Sequence, residues 1–269
     1  MSEARSAERQ ADARPEVEAS AMSLTLVRGL RVLSAFRGVQ EVLSNGELAR
    51  RLEMTRPTIS RLTNSLAHAG YLERVKTGSF RLGLGVLELA YPVLASMSFR
   101  QRALGPMRGY ARLTGGAVSL AAIHGADLIY VQTVRPSEQM PHLPEIGMTG
   151  PLPRSAVGRA LLSMLDEDEL AGTRRAVETA YPGLWDARAA DIARSLDECR
   201  ERGWTVVVGD WRPGHYGAGA PVRRMAGGMC LAVNCGVPAH TVSESEFRSD
   251  LAPKVHDTAE ALRAAFEGL

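Results

Sequence analysis

The sequence predicts an α+β fold in two parts, on three observations. Residues 24–70 carry apolar residues at helical spacing, broken by two helix-start signals. A glycine-containing turn at residues 76–79, between two short strand-like runs, reads as a β-hairpin. Beyond residue 117, strand-like runs, then helical runs, then further strands follow one another, the order of an α+β domain around a largely antiparallel sheet. At 269 residues the chain is long enough for each part to bury its own core.

Residues 1–21 have few large apolar groups, and a disordered tail is expected there. Leu26, Leu30, Leu33 and Phe36 give a first amphipathic helix, and Gly38 loosens the chain after it. Ser44-Asn45-Gly46-Glu47 fits a capping box, in which hydroxyl and carboxylate satisfy the free N–H groups of a helix start. Leu48, Ala49 and Leu52 form the inward face of that second helix, which ends near Glu53-Met54. Thr55 caps a third helix, Pro57 sits in its first turn where no hydrogen bond is lost, and Gly70 stops it. Tyr71–Val75 and Phe80–Leu82 flank the turn Lys76-Thr77-Gly78-Ser79. Val86–Met97 reads as a helix despite Pro92 and links the two parts. Val118–Ile123 and Leu128–Val134 flank a second hairpin turn. Ala156–Leu165 and Asp191–Arg202 read as helices, Trp204–Gly209, Gly217–Val222 and Met229–Cys235 as strands, and Glu246–Glu267 as one long closing helix. The expected division is a tail (1–21), a three-helix and hairpin domain (22–85), a linker helix (86–100) and a second domain (101–269).

Charge separates the parts. Residues 22–85 hold ten basic and four acidic residues, an excess of +6, while the tail and the remainder each carry −2. A basic module on a neutral-to-acidic body is the electrostatic footprint of a protein that meets nucleic acid through one part only. On an ideal helix of about 100° per residue, Ile59, Leu62 and Leu66 turn inward. Ser60, Arg61 and Asn64 then face out, with Thr55, Arg56 and Thr58 at the N-terminal end. Arginine pairs bidentately with guanine and asparagine with adenine, and hydroxyls serve bases or phosphates. A recognition helix enters the major groove N-terminal end first. Arg56 and Ser60 are therefore expected at bases, and Arg61 suits a base or a phosphate. The turn residues Lys76, Thr77 and Ser79 are expected at the DNA backbone, the turn acting as a wing, and Ser44 is also expected to bind DNA.

Other chemistries lack their motifs. There is no GxSxG elbow, no Walker-type phosphate loop and no GxGxxG between a strand and a helix. Asp210 and His215 have no nucleophile to complete a triad. The three cysteines have no zinc-type spacing, so neither a metal site nor a cofactor is expected. No apolar run approaches the roughly 20 residues of a membrane span, and no signal peptide is read at the N-terminus, so a cytoplasmic protein is expected. An alternative to a ligand-controlled regulator is a structural DNA-binding protein with no ligand.

Several segments resemble the IclR-type bacterial transcriptional regulators. They are residues 24–36, 43–73 and 80–90, then GPLPRSAVGRALLSML (150–165), RERGWTVVVGDWRPGHYGAGAPV (200–222) and MCLAVNCG (229–236). The resemblance implies a winged helix-turn-helix, a linker helix and a GAF/PAS-like effector-binding domain. It also implies homodimers or dimers of dimers on pseudo-palindromic operators, most often as repressors, controlled by small organic acids or aromatic catabolites. Carried over by position, the effector site falls on Ser155, Ala156, Val157 and Gly158 at a helix start, and on Asp210, Gly214 and Gly217 before and in a strand. Ala232 and Asn234 occupy two positions that often carry hydroxyl side chains in the family. Alanine cannot donate to a carboxylate, so a larger or more apolar ligand than a glyoxylate-like acid is expected. Met140, Leu143 and Met148 are expected on its apolar side.

Overall fold

The computed structural model describes residues 22–37, 41–136 and 144–268. It resolves into two compact units, the first ending at Met97 and the second starting at Ser98. The expected tail, Gly38, Met140 and Leu143 lie outside the described residues.

In the first unit α1 spans Leu24–Ser34, with the Ser23 hydroxyl accepting from the Leu26 N–H. Its buried side matches the expected one at Leu33 and Phe36 but not at Leu26 and Leu30. Gly29, Val32 and the following Phe36 face the core, while Leu26 and Leu30 are more than half exposed. Gly29 faces Leu62, where even a Cβ would stand at an ordinary 4.0 Å. A two-residue strand β1 (Leu43–Ser44), not foreseen, leads into α2 (Asn45–Leu52). The capping box at α2 is complete: Ser44 Oγ accepts from the Glu47 N–H, and the Glu47 carboxylate accepts from the Ser44 N–H at 2.7 Å. Glu53 closes α2 in the left-handed region (φ 54°), and Thr55 caps α3 (Arg56–His68).

The hairpin β2 (Leu72–Lys76) and β3 (Ser79–Leu82) pairs antiparallel, and β1 adds to the far side of β3. Gly83 and Gly85 then run against the backbone of Gly70. A Cβ on them would stand 2.4 and 2.9 Å from the Gly70 carbonyl oxygen, so this crossing needs glycine. The core gathers Val32, Leu43, Leu48, Ile59, Leu62 and Phe80. Helix α4 (Gly85–Ser96) buries none of its residues within the unit.

The second unit opens with α5 (Phe99–Thr114), a helix the sequence reading missed. Phe99 is buried edge-on against Phe266 (5.6 Å), so residues 99 and 100 belong to this unit and not to the linker. The strands are β4 (Ala117–His124), β5 (Asp127–Val134), β6 (Thr149–Pro151), β7 (Thr205–Val208), β8 (His215–Arg224) and β9 (Cys230–Pro238). They form one antiparallel sheet in the order β6-β5-β4-β9-β8-β7. One face carries α6 (Ala156–Leu162) with α8 (Ala189–Arg202) beyond it, and α7 (Glu167–Ala180) lies between them in sequence. The other face carries α5 and α9 (Lys254–Ala265). The closing segment is not one helix. It makes a short turn at Glu244–Glu246 and a wide turn at Phe247–Leu251, then restarts after Pro253, which has no N–H to continue a ladder.

Every residue of α6 is buried. Two glycines allow it: a Cβ on Gly158 would stand 2.1 Å from the Leu152 carbonyl oxygen, and one on Gly219 would stand 2.5 Å from the Ala156 backbone. Helix and sheet therefore touch backbone to backbone at the N-terminal end of α6.

Candidate DNA-reading face and ligand cleft

The outer side of α3 is built from below. Ile59, Leu62 and Thr63 bury its underside. Thr63, which the sequence reading passed over, bonds through its hydroxyl to the Ile59 carbonyl (3.0 Å) and to Asn45 Oδ1 (3.1 Å), tying α3 to α2. Thr55, Arg56 and Arg61 are exposed, and Thr58 and Ser60 are half-buried beside them. The Thr55 and Thr58 hydroxyls lie 2.9 Å apart. Lys76 and Thr77 are exposed at the hairpin tip, where Gly78 (φ 68°) makes the turn and its carbonyl accepts from the Asn45 N–H at 2.8 Å.

Three expected DNA-facing residues do other work within the unit. Ser79 is buried opposite Ser44 in the β1–β3 pairing, so its side chain is not offered to a backbone. Ser44 is engaged by Glu47 through both its hydroxyl and its N–H. Asn64 Oδ1 accepts from Arg74 Nη2 at 2.7 Å, and Arg74 lies over the Phe80 ring at 4.8 Å. Bidentate pairing with adenine needs that oxygen, so Asn64 acts here as a strut between α3 and the wing.

In the second unit a cleft of about 600 Å³, its open mouth included, lies where the start of α6 meets β8 and β9. Its floor is an absence of side chains, because Gly217 of β8 pairs directly with Gly236 of β9 and both line it. Ser155 and Ala156 form one side, and Tyr130, Trp211 and Tyr216 supply aromatic walls. Trp211 meets Tyr130 edge-on at 6.2 Å and occupies the space over Gly150, where a Cβ would stand 2.3 Å from its ring. Arg212 and His215 add basic groups. Asn234 is nine-tenths buried, and its Oδ1 has no hydrogen-bond partner among the described residues. An unsatisfied buried acceptor costs roughly 1–3 kcal/mol, so this oxygen calls for a donor.

Of the residues carried over by resemblance, Ser155, Ala156, Gly217 and Asn234 line this cleft. The others do not. Ala232 is fully buried in the core between Ala121 and Pro221. Val157 is fully buried in the same core, and the Gly158 N–H donates to Ser155 Oγ (3.0 Å), closing part of the helix start to any ligand. Asp210 is held by Arg159 (2.7 Å) and Arg188 (2.8 Å) and faces a different depression. Gly214 (φ 72°) shapes the turn into β8, its carbonyl accepting from the Ala239 N–H. Met148 is partly exposed, with its sulfur against the Glu145 N–H. Tyr130, Trp211 and Tyr216 were missed; an aromatic residue in a strand or turn gives no local sign of which cavity it walls. Burial pushes the Cys199 and Cys235 thiols up to about 11 and about 12, so both stay protonated at neutral pH. No cluster of potential metal ligands occurs among the described residues. No described helix is long and apolar enough to cross a membrane.

A winged helix-turn-helix in one unit and an aromatic-walled cleft in another define a DNA-binding regulator with a sensing domain. Comparison with known proteins makes the class specific. Residues 25–76 match the IclR helix-turn-helix domain, and residues 91–264 match the family described as bacterial transcriptional regulator IclR, C-terminal. A crystal structure of an IclR family transcriptional regulator from Brucella abortus is similar with a TM-score of 0.80 at 29% identity, over 94% of this chain and 96% of that one. The HTH-type transcriptional regulator KipR of Bacillus subtilis (strain 168) is 26% identical over 213 residues, 77% of this chain and 85% of its own. The HTH-type transcriptional repressor AllR of Salmonella paratyphi A is 24% identical over 269 residues, 98% of this chain and 97% of its own. The chain belongs to the IclR family of bacterial transcriptional regulators.

Proposed function

We propose that this regulator is a cytoplasmic repressor that releases its operator when a small aromatic molecule fills the cleft of the second unit. The observation that carries the reading is the unpartnered Asn234 Oδ1, buried at a glycine floor among three aromatic side chains. That arrangement suits a planar ring bearing a hydroxyl or N–H donor, with Arg212 and His215 placed for a carboxylate elsewhere on the ring. Arg56 reads a base, with Thr55, Thr58, Ser60 and Arg61 beside it, and Lys76 and Thr77 at the phosphate backbone. Repression is supported by the name of the full-length relative AllR.

A homodimer is supported by exposed apolar residues on two helices of the first unit: Leu24, Leu26 and Leu30 on α1, and Leu87, Leu89 and Tyr91 on α4. Exposed large apolar residues on surface helices suit an interaction face. The test is a thermal-shift panel of phenols, hydroxylated aromatic acids and short aliphatic acids. The reading expects a hydroxylated aromatic to raise Tm most. A response confined to short aliphatic acids overturns it.

A further inference from the structure

The second unit holds another concavity that the ligand cleft does not use. It is lined by five arginines, Arg154, Arg159, Arg188, Arg194 and Arg248, and by two carboxylates, Asp191 and Asp210, together with the edge strand β7. Asp210 sits at its centre. Its carboxylate accepts from Arg159 Nη2 at 2.7 Å and from Arg188 Nε at 2.9 Å to both oxygens, with Arg154 Nε 3.9 Å away. Arg154 Nε donates instead to the Asp210 carbonyl at 3.1 Å. Arg194 pairs with Asp191, and Arg248 pairs with Glu244 outside the lining.

One carboxylate has about four lone-pair positions, and each guanidinium has five donors. Three N–H groups already engage Asp210, while Arg154, Arg194 and Arg248 are between 45% and 63% exposed. The lining carries three more positive charges than negative ones.

We propose that this basin is a second ligand site, for a small molecule carrying two or more negative charges on adjacent oxyanion groups. Forked guanidinium groups match phosphate and carboxylate oxygens in pairs, which a single-charge ligand cannot exploit. The basin is wired to the cleft by chain continuity. Val207 lines both, Asp210 lies in the basin, and the next two residues, Trp211 and Arg212, lie in the cleft. Ser155 of the cleft likewise follows Arg154 of the basin. An oxyanion that draws Arg154 and Arg188 toward itself loosens Asp210 and shifts Trp211. The binding half of this proposal is independent of the cleft's assignment; the regulatory half rests on it.

The experiment is calorimetric titration of the full chain with pyrophosphate and, separately, with citrate, followed in parallel by tryptophan emission in wild type and Trp211→Phe. Saturable binding is expected, weakened at least tenfold in Arg154→Gln/Arg194→Gln and unchanged in Arg56→Gln, whose arginine lies in the other unit. Both substituted basin residues are exposed, so the double variant is expected to keep its fold, checked by circular dichroism. Should it unfold, Arg248→Gln supplies the same comparison, with a threefold loss expected. The tighter of the two probes tells phosphate from carboxylate chemistry. A basin that is only a structural ion-pair network shows no saturable binding, or binding indifferent to the basin variants, and either result overturns the site. Binding that leaves Trp211 emission unmoved overturns the link to the cleft.

Discussion

Helices α3 and α6 both open on a hydroxyl cap, Thr55 in one and Ser155 in the other, and put their first turns to opposite uses. In α3 the first turn projects from the unit, with Arg56 and Pro57 exposed and only the underside packed. In α6 the whole helix is buried, and its first turn is pressed backbone to backbone onto β8. The projecting helix can meet a partner as large as a duplex, while the buried one offers only the space the sheet leaves beside it. A surface that reads DNA needs side chains that reach out, and a cleft that senses a small molecule needs side chains that are missing, as at Gly217 and Gly236.

The contrast is broken most severely at Gly158. Replacing it with valine puts a Cβ inside the Leu152 backbone, and the expected loss is about 3 kcal/mol or more, read by urea denaturation. On α3 the largest effect is on recognition. Arg56→Ala is expected to weaken operator binding by about 1–3 kcal/mol while random duplex binding falls far less, measured by fluorescence anisotropy at fixed salt. Equal losses on both duplexes make Arg56 a phosphate contact.

A gain and a loss should coincide at Asn234. Asn234→Leu removes a buried unsatisfied acceptor, so Tm without ligand is expected to rise by a few degrees while the thermal response to the best aromatic ligand disappears. The caps give smaller effects: Ser155→Ala and Thr55→Ala each cost about 1 kcal/mol in denaturant titration, and only Thr55→Ala also weakens DNA binding.

The smallest effect is one of pH. Glu47 is held below the ordinary glutamate range, first by the Ser44 N–H, and Glu169 first by the Arg224 guanidinium. A carboxylate lowered in the folded state adds stability above its unfolded pKa of about 4.3, and that stability is lost as pH falls through the folded value. Glu169→Gln should flatten the acid limb of a Tm–pH profile, and Glu47→Gln should do so less, being fully exposed.

These two helices also mark where sequence is readable. The caps at Ser44 and Thr55, the stop at Gly70 and the hairpin turn at Gly78 are local chemistry, and local chemistry is written in neighbouring residues. The buried side of α1 was not readable, since the core that Val32 joins is built from Leu43, Ile59 and Phe80 far along the chain. Of Ala232 and Asn234, two residues apart on the same side of β9, only Asn234 lines the cleft beside Gly217 and Gly236, while Ala232 packs into the core. Asn64 looked like a reading residue because its partner, Arg74, belongs to another element.

On the proposed function, filling the cleft beside α6 changes what α3 does on DNA. The measurement is operator affinity by anisotropy, with and without the aromatic ligand chosen by thermal shift, in wild type and in Ala156→Trp, whose side chain fills the cleft. The account predicts a ligand-dependent loss of at least tenfold in wild type, and an Ala156→Trp protein that binds operator but ignores ligand. An undiminished ligand response in Ala156→Trp, or an operator affinity that no cleft ligand alters, would contradict it.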